Sequence, residues 1–566
     1  MSMFLAPVIV ALSLLPFLTF NSIETYDLII KGVAPLSILY YPRIFSGSNT
    51  WFEIGDFFSG NVGRVNSAEF IMLGDILQRV SYKILGENII LTYKLISLAY
   101  LILWVYFLSR IISSDNKEKF STSNWIIGTL LLITFNTNSI FNEHYGFYRL
   151  INPQLAMLIW IIFIYILTQY FTNENSTTRR IQFLSILCVL IFISSVTYLF
   201  TFLALVGASA VFLMLLILNN KKSDALFFFK YSIVAVTPLA INIFLNYNES
   251  SYVQVLERQG LIESRFPGTL KTLVLCCFTL FFLYFIIRFS KSTSINKPFN
   301  TTMFICTIGV AIASQSNVIT NKAVQFYHFE LFVLILLVIL ISRSILITVS
   351  RIKFVRRFNF KNRNTLSLGI ILLILLNFHN MKFDHNNPIK QFFKTNFISQ
   401  ENLIVDISGL EYSIPVYTNS RVLYQADIPA YKFADEEIMK RYFVNSGCNT
   451  DSDFLSIPAL FIYQTAPLLQ KEAQVLKYSQ LLNLEAQFKS THEAYATESK
   501  AIKKSIDSLI TNFKQKYFNL NCVDLAKKLE INAIVFDNKS NWKNLLDGYE
   551  IFESKLNNQV FLFARI

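Results

Sequence analysis

At 566 residues, 53% hydrophobic, 15% aromatic and only 15% charged, with a mean hydropathy of +0.44, the chain is too apolar for a soluble protein of its length. Its net charge of +13 does not point to nucleic acid, because the basic residues cluster in short gaps between apolar runs, as topology signals do. An α-helical polytopic membrane protein is expected, with the lipid bilayer as its medium and no nucleic acid as partner.

Runs long enough to cross roughly 30 Å of hydrocarbon follow one another along the chain. They cover about 3–20, 90–109, 124–140, 153–171, 182–199, 201–218, 230–246, 269–287, 301–314, 329–349 and 365–380, which predicts about 11 transmembrane helices. The pair meeting near Tyr198 and Thr201 is the hardest to divide. The first run lacks a basic leader and a small-residue cleavage site, so it reads as a retained helix.

The gaps set the orientation. Arg110, Lys117 and Lys119, then Arg179 and Arg180, Lys221 and Lys222, Arg288, Lys291 and Lys297, and finally Arg351 through Arg363 occupy every second connection. By the positive-inside rule those connections are cytoplasmic. The alternate ones, about 21–89, 141–152, 247–268 and 315–328, then face outward. An odd number of crossings places the tail outside as well.

The expected division is a transmembrane domain over 1–380 with a long first outer loop at 21–89, and an extracytoplasmic domain over 381–566. The tail, roughly 185 residues, is polar and long enough for its own core. Apolar β-rich stretches (Leu403 to Ile407, Arg421 to Tyr424, Ile531 to Phe536, Val560 to Phe563) alternate with helical patterns near Asp435 to Phe443, Leu468 to Thr511 and Val523 to Leu529. That alternation predicts an α/β domain.

Cys188, Cys276, Cys277 and Cys306 lie in apolar runs, where cysteine behaves as a small hydrophobe. Cys448 and Cys522 stand in the outer domain. An oxidising compartment favours a disulfide between them, the alternative being two separate buried thiols.

Reactive groups gather in the outer loops. Loop one opens with Glu24 and Asp27, followed by Glu53 and Asp56 among aromatic residues. A carboxylate held at a membrane surface can have a raised pKa and serve as a general base, although solvated loop charge is the plain alternative. Loop two carries Glu143, His144 and Arg149 just before Asn152, Pro153 and Gln154; an arginine at a helix mouth suits a phosphate, or else snorkels to headgroups. Loop four adds Glu257, Arg258, Glu263 and Arg265. Loop five ends in Ser316, Asn317, Thr320, Asn321, Lys322, Gln325, His328 and Glu330, a polar cluster that is costly near lipid unless it is used. Gln325 and His328 share a helical face. One histidine beside one glutamate is a weak metal signal. All five histidines fall outside or at the outer rim, and the span interiors are almost free of charge, unlike a transporter with a midplane site.

About eleven spans, acidic residues directly after helix one, arginine and histidine in later outer loops, and an outer α/β domain together resemble the GT-C superfamily of membrane glycosyltransferases. The resemblance extends to the phrases Tyr148 to Gln154 and Asn317 to His328. It implies a GT-C-like enzyme of a bacterial inner (cytoplasmic) membrane. Such an enzyme moves a sugar from a polyprenyl-phosphate-linked donor to a glycan, lipid or protein acceptor, with inversion. Asp27 or Glu24 would be the base, with Asp56 in reserve, and Arg149, Arg258, Arg265, His328 and Gln325 would hold the donor phosphate. Loop one shows Glu24-x-x-Asp27 and Glu53-x-x-Asp56, without the adjacent acidic pair or the D-x-D common in the superfamily, which leaves the base and a divalent metal (Mg or Mn) open. The competing reading is a lipid-linked glycan polymerase or a flippase.

Overall fold

The computed structural model describes residues 89–113, 154–173, 176–247, 270–289, 297–316, 328–351, 402–406, 421–424, 435–450, 506–556 and 559–566, together with the short strands at 262–263 and 322–323 and scattered single positions. Six helices among the described residues are long and apolar enough to cross a membrane.

Eight helices follow the apolar runs: α1 Ile89–Ser113, α2 Ala156–Thr172, α3 Thr177–Ser195, α4 Leu199–Leu218, α5 Lys222–Tyr247, α6 Leu270–Phe289, α7 Lys297–Ser314 and α8 His328–Arg351. The other expected spans, about 3–20, 124–140 and 365–380, lie outside the described residues except at isolated positions. Several helices run past their apolar cores: α3 takes in Arg179 and Arg180, and α5 starts at Lys222. A helix can carry charge at its ends once it reaches the polar interface.

Within the bundle, several serine and threonine hydroxyl groups are satisfied inside their own helices. Thr168 donates to the carbonyl of Ile164, Thr307 to Met303, Thr279 to Leu275 and Ser344 to Leu340, all at 2.7–2.9 Å. A medium without water leaves such groups few other partners. Between helices, close contact substitutes for a hydrophobic drive. Gly207 on α4 and Gly309 on α7 cross so tightly that a Cβ on Gly207 would stand 2.2 Å from the Gly309 carbonyl oxygen, and one on Gly309 would stand 2.3 Å from Ala208.

Breaks between helices are written in polar residues. After α3, Ser194, Ser195 and Thr197 return their hydroxyls to the carbonyls of Ile191, Phe192 and Ile193, and Tyr198 leaves the helix in an extended conformation. This divides the expected pair of spans near Tyr198. After α4, Asn220 takes a left-handed φ of 56°, and the Lys221 N–H closes onto the Leu216 carbonyl.

Two short strands, β1 (Ile262–Glu263) and β2 (Lys322–Ala323), pair antiparallel with Glu263 opposite Lys322.

Beyond the bundle helices, a five-stranded sheet has the order β4-β3-β5-β7-β6, with β3 Asn402–Asp406, β4 Arg421–Val422, β5 Ala533–Phe536, β6 Ile551–Leu556 and β7 Gln559–Arg565. Strands β3, β4 and β5 are parallel, and β7 runs antiparallel to β5 and forms a hairpin with β6. β3 overlaps an expected strand in all but Asn402, β5 falls within one and β7 contains one, while β4 covers only the first two residues of the expected Arg421 to Tyr424; β6 falls in no expected strand, because Glu553, Ser554 and Lys555 interrupt its apolar pattern. Every residue of β5 is buried, as in a strand covered on both faces. The helices are α9 Asp435–Asn445, a helix over 506–517, α10 Cys522–Lys528 and the single turn α11 Trp542–Leu545. Ile404, Ile438, Phe443, Ile534, Phe536 and Trp542 lie in the core between them. The expected boundary at 380/381 falls outside the described residues.

Cys448 and Cys522 are joined by a disulfide with Cα atoms 5.8 Å apart. Local sequence arranges both partners. Gly447 (φ 65°) and Cys448 (φ 53°) are left-handed and turn the chain at the end of α9, where a Cβ on Gly447 would press to 2.9 Å from Asn541. Asn521 accepts the N–H groups of Val523 and Asp524 and so fixes Cys522 as the first residue of α10.

Candidate functional site

Contacts at the helix ends define two opposite rims of the bundle. Tyr170 near the end of α2 donates to Asp224 at 2.6 Å, Arg180 in the first turn of α3 meets the same carboxylate at 3.3 Å, and Lys221 lies 5.6 Å from the Tyr170 ring centroid. Arg343, toward the end of α8, donates to the carbonyl of Ile112 at the end of α1 and stands over the Phe299 ring near the start of α7 at 5.3 Å. These contacts gather the arginine- and lysine-bearing helix ends.

The opposite rim centres on the start of α8. His328 Nδ1 is 2.9 Å from the Tyr198 hydroxyl, which belongs to the residue preceding α4. The imidazole stacks on Phe200 with centroids 4.2 Å apart, and Phe200 meets Phe329 edge-on at 5.6 Å. Two residues along α8, Glu330 pairs with Lys271 of α6 at 2.6 Å; the glutamate side chain is 5% exposed and the lysine 58%. Deeper in the bundle, Phe332 packs edge-on against Trp160 of α2 at 5.6 Å, and the Trp104 indole of α1 donates to the Gln154 carbonyl at 3.0 Å. α8 thus carries an imidazole and a buried carboxylate in its first turn. The aromatic floor beneath the imidazole is assembled from three stretches of chain.

A buried carboxylate is held by a cation at this rim, and the cation's other side is open to solvent or to a ligand. That combination can hold an anion without exposing Glu330 to it, because the ammonium stands outermost. Buried polar atoms with no partner among the described residues include Thr201 Oγ1, in the first turn of α4, and Gln315 Oε1, just past α7. Such atoms also occur toward the arginine end, at Thr302 and Ser342, so they do not by themselves mark a site.

Of the residues expected to do chemistry, His328 is the one the structure describes. Glu24, Asp27, Asp56, Arg149, Arg258, Arg265 and Gln325 lie outside the described residues. The β1–β2 pairing nevertheless ties the loop that carries Arg258 and Arg265 to the loop that carries Gln325. Among the described residues no group of three His, Cys, Asp or Glu side chains is placed to hold a metal.

Tyr198 and Lys271 were not singled out in the sequence. Each had a signal. Tyr198 ends a stretch rich in serine and threonine that divides the apolar run over 182–218, and Lys271 is a cation just inside a span at the end where the positive-inside rule expects none.

No known protein family matches this chain, and no curated protein does either.

Proposed function

We propose that the protein is a membrane glycosyltransferase that moves a sugar from a polyprenyl-phosphate donor to an extracytoplasmic acceptor, with inversion. The observation that carries this reading is the first turn of α8, where His328 bonds to Tyr198 and Glu330, two residues on, pairs with Lys271, at the opposite end of the helix from Arg343 and Arg351. The disulfide between Cys448 and Cys522 supports an outward tail, since reducing cytoplasm keeps thiols free. A bacterial inner membrane is the compartment that fits both.

In this reading the acceptor hydroxyl oxygen attacks the anomeric carbon, the carbon–oxygen bond to the carrier phosphate breaks, and the hydroxyl proton passes to Asp27 or Glu24, with Asp56 in reserve. The bonding pair leaves with the polyprenyl phosphate. Lys271, His328 and Arg149 stabilise the charge that grows on the departing phosphate, with Arg258, Arg265 and Gln325 on the paired loops alongside; fixed cations contribute most in a site poor in water.

The test is transfer of radiolabelled sugar from polyprenyl-phosphate donors by the full chain in proteoliposomes. His328→Ala and Lys271→Ala are expected to slow transfer about 100-fold, and Asp27→Asn or Glu24→Gln to abolish it. Full activity in all four variants overturns the assignment of roles. Movement of the lipid-linked sugar across the bilayer without transfer would favour a flippase instead.

A further inference from the structure

The parallel strands β3, β4 and β5 end on one edge of their sheet, and β3 is flanked by β4 on one side and β5 on the other. The connections that lead to β4 and onward to β5 therefore run in opposite directions, so a topological switch point lies at the carboxyl ends of β3 and β5. Open α/β sheets bind ligands at such switch points.

The residues at this edge are polar and aromatic. Asp406 closes β3, Asp537 directly follows β5, and Tyr424 stands just past β4. Ser540 donates its hydroxyl to Asp406, the Lys539 N–H donates to Asp537 at 2.8 Å, and the Trp542 N–H donates to Ser540 Oγ at 3.2 Å, so the turn after β5 is pinned against β3. From α9, Tyr442 packs edge-on against Tyr424 at 5.0 Å. Burial, together with the charge of Asp406, pushes the Tyr442 phenol up to about 12. Burial also raises the Asp406 carboxyl, the Ser540 hydrogen bond draws it back, and the charge of Asp537 adds to the rise. These groups form one electrostatically connected set, and Asp406, Asp537, Tyr424 and Tyr442 are all only half-buried.

Two carboxylates alone would suit a cation. Two tyrosines beside them change the chemistry. A half-exposed ring presents an apolar face to the C–H face of a pyranose, while its hydroxyl and the neighbouring carboxylates accept hydrogen bonds from sugar hydroxyl groups. Apolar contact with a few convergent polar groups is the usual make-up of a small-molecule site.

We propose that the strand edge at the carboxyl ends of β3 and β5 binds a saccharide, with Asp406 and Asp537 accepting hydrogen bonds from its hydroxyl groups and Tyr424 and Tyr442 packing against its C–H faces. Resting on the transfer reading above, that saccharide is the acceptor glycan. The binding itself stands without it.

The test is calorimetric titration of the full chain in nanodiscs with chitotriose and with cellotriose, alongside Tyr424→Ala, Tyr424→Phe and Asp537→Asn. Retention of the disulfide in each variant, read as a mobility shift on reduction, guards against misfolding. Saturable binding of at least one trisaccharide is expected, weakened about tenfold or more by Tyr424→Ala and by Asp537→Asn and retained by Tyr424→Phe. No binding of either sugar at millimolar concentration overturns the inference. So does binding that the variants leave unchanged, or calcium or magnesium binding that is lost in Asp537→Asn without any sugar bound. Saccharide binding without transfer would leave this site standing and remove the transferase reading, whereas transfer with an unaltered acceptor KM in the variants would do the reverse.

Discussion

The helix bundle and the C-terminal sheet solve the same problem, satisfying buried polar groups, in opposite ways. In the bundle, Thr168, Thr307 and Ser344 bond to carbonyls one turn back in their own helix, and links between helices, such as Tyr170 to Asp224, stand at the helix ends. In the sheet region the polar links span distant parts of the chain: Asn445 bridges both backbone groups of Val405, the Trp542 indole donates to the Asn445 carbonyl, and Glu436 of α9 takes Lys516 and Tyr517 from the helix over 506–517. Each bundle helix arrives with its backbone already satisfied and then needs only close contact. The sheet has no such local solution and is held by pairings that exist only once the chain has folded.

The sharpest way to break this contrast is at the closest helix crossing. Gly309→Val places a side chain where backbone atoms of Gly207 and Ala208 already stand, and is expected to cost about 3 kcal/mol or to prevent assembly outright. Thermal unfolding in detergent and the yield of monodisperse protein would report it, and a variant as stable as the parent would show that the crossing is looser than described.

Next in size is the crosslink in the sheet region. Cys448→Ser removes a bridge across a sequence separation of 74 and should destabilise that region by about 2–4 kcal/mol while leaving the bundle helices intact. Protease susceptibility mapped along the chain separates the two. The mobility shift on reduction should vanish in this variant, and its persistence would argue that the cysteines pair otherwise.

A smaller effect is expected at the rim. Lys271→Met takes the ammonium away from the buried Glu330 carboxylate, at a cost of about 2 kcal/mol, which Lys271→Met with Glu330→Gln should largely restore. Additive losses in a double-mutant cycle would mean that the two side chains are not coupled.

The smallest effect is electrostatic and confined to the sheet region. Hydrogen bonds from Lys516 and Tyr517 hold the Glu436 carboxyl below its ordinary 4.5. A lowered carboxylate stabilises the fold above that ordinary value, and the contribution is lost as pH falls from there through the folded-state value. The acid limb of the stability curve for the sheet region should therefore flatten slightly in Glu436→Gln. Unchanged acid sensitivity would show that the pair is fully screened.

Length, apolar runs and the spacing of basic residues determined from the sequence alone where eight helices lie and that their arginines and lysines alternate from gap to gap, because a helix in lipid must be continuous and apolar over a fixed thickness. Strands β3, β4, β5 and β7 were legible for a similar local reason. They are short apolar runs bounded by turns, whereas β6, interrupted by Glu553 and Lys555, was not. His328 stood out as a polar residue at a helix start. Its neighbours did not, because Tyr198 and His328 are 130 positions apart and Lys271 and Glu330 belong to different helices. The crossing of Gly207 with Gly309, the sheet order β4-β3-β5-β7-β6, and the meeting of Asp406, Ser540 and Tyr442 at one strand edge were likewise decided by tertiary structure alone. Periodicity and composition are properties of neighbours in the chain, while a site depends on distances that only packing sets.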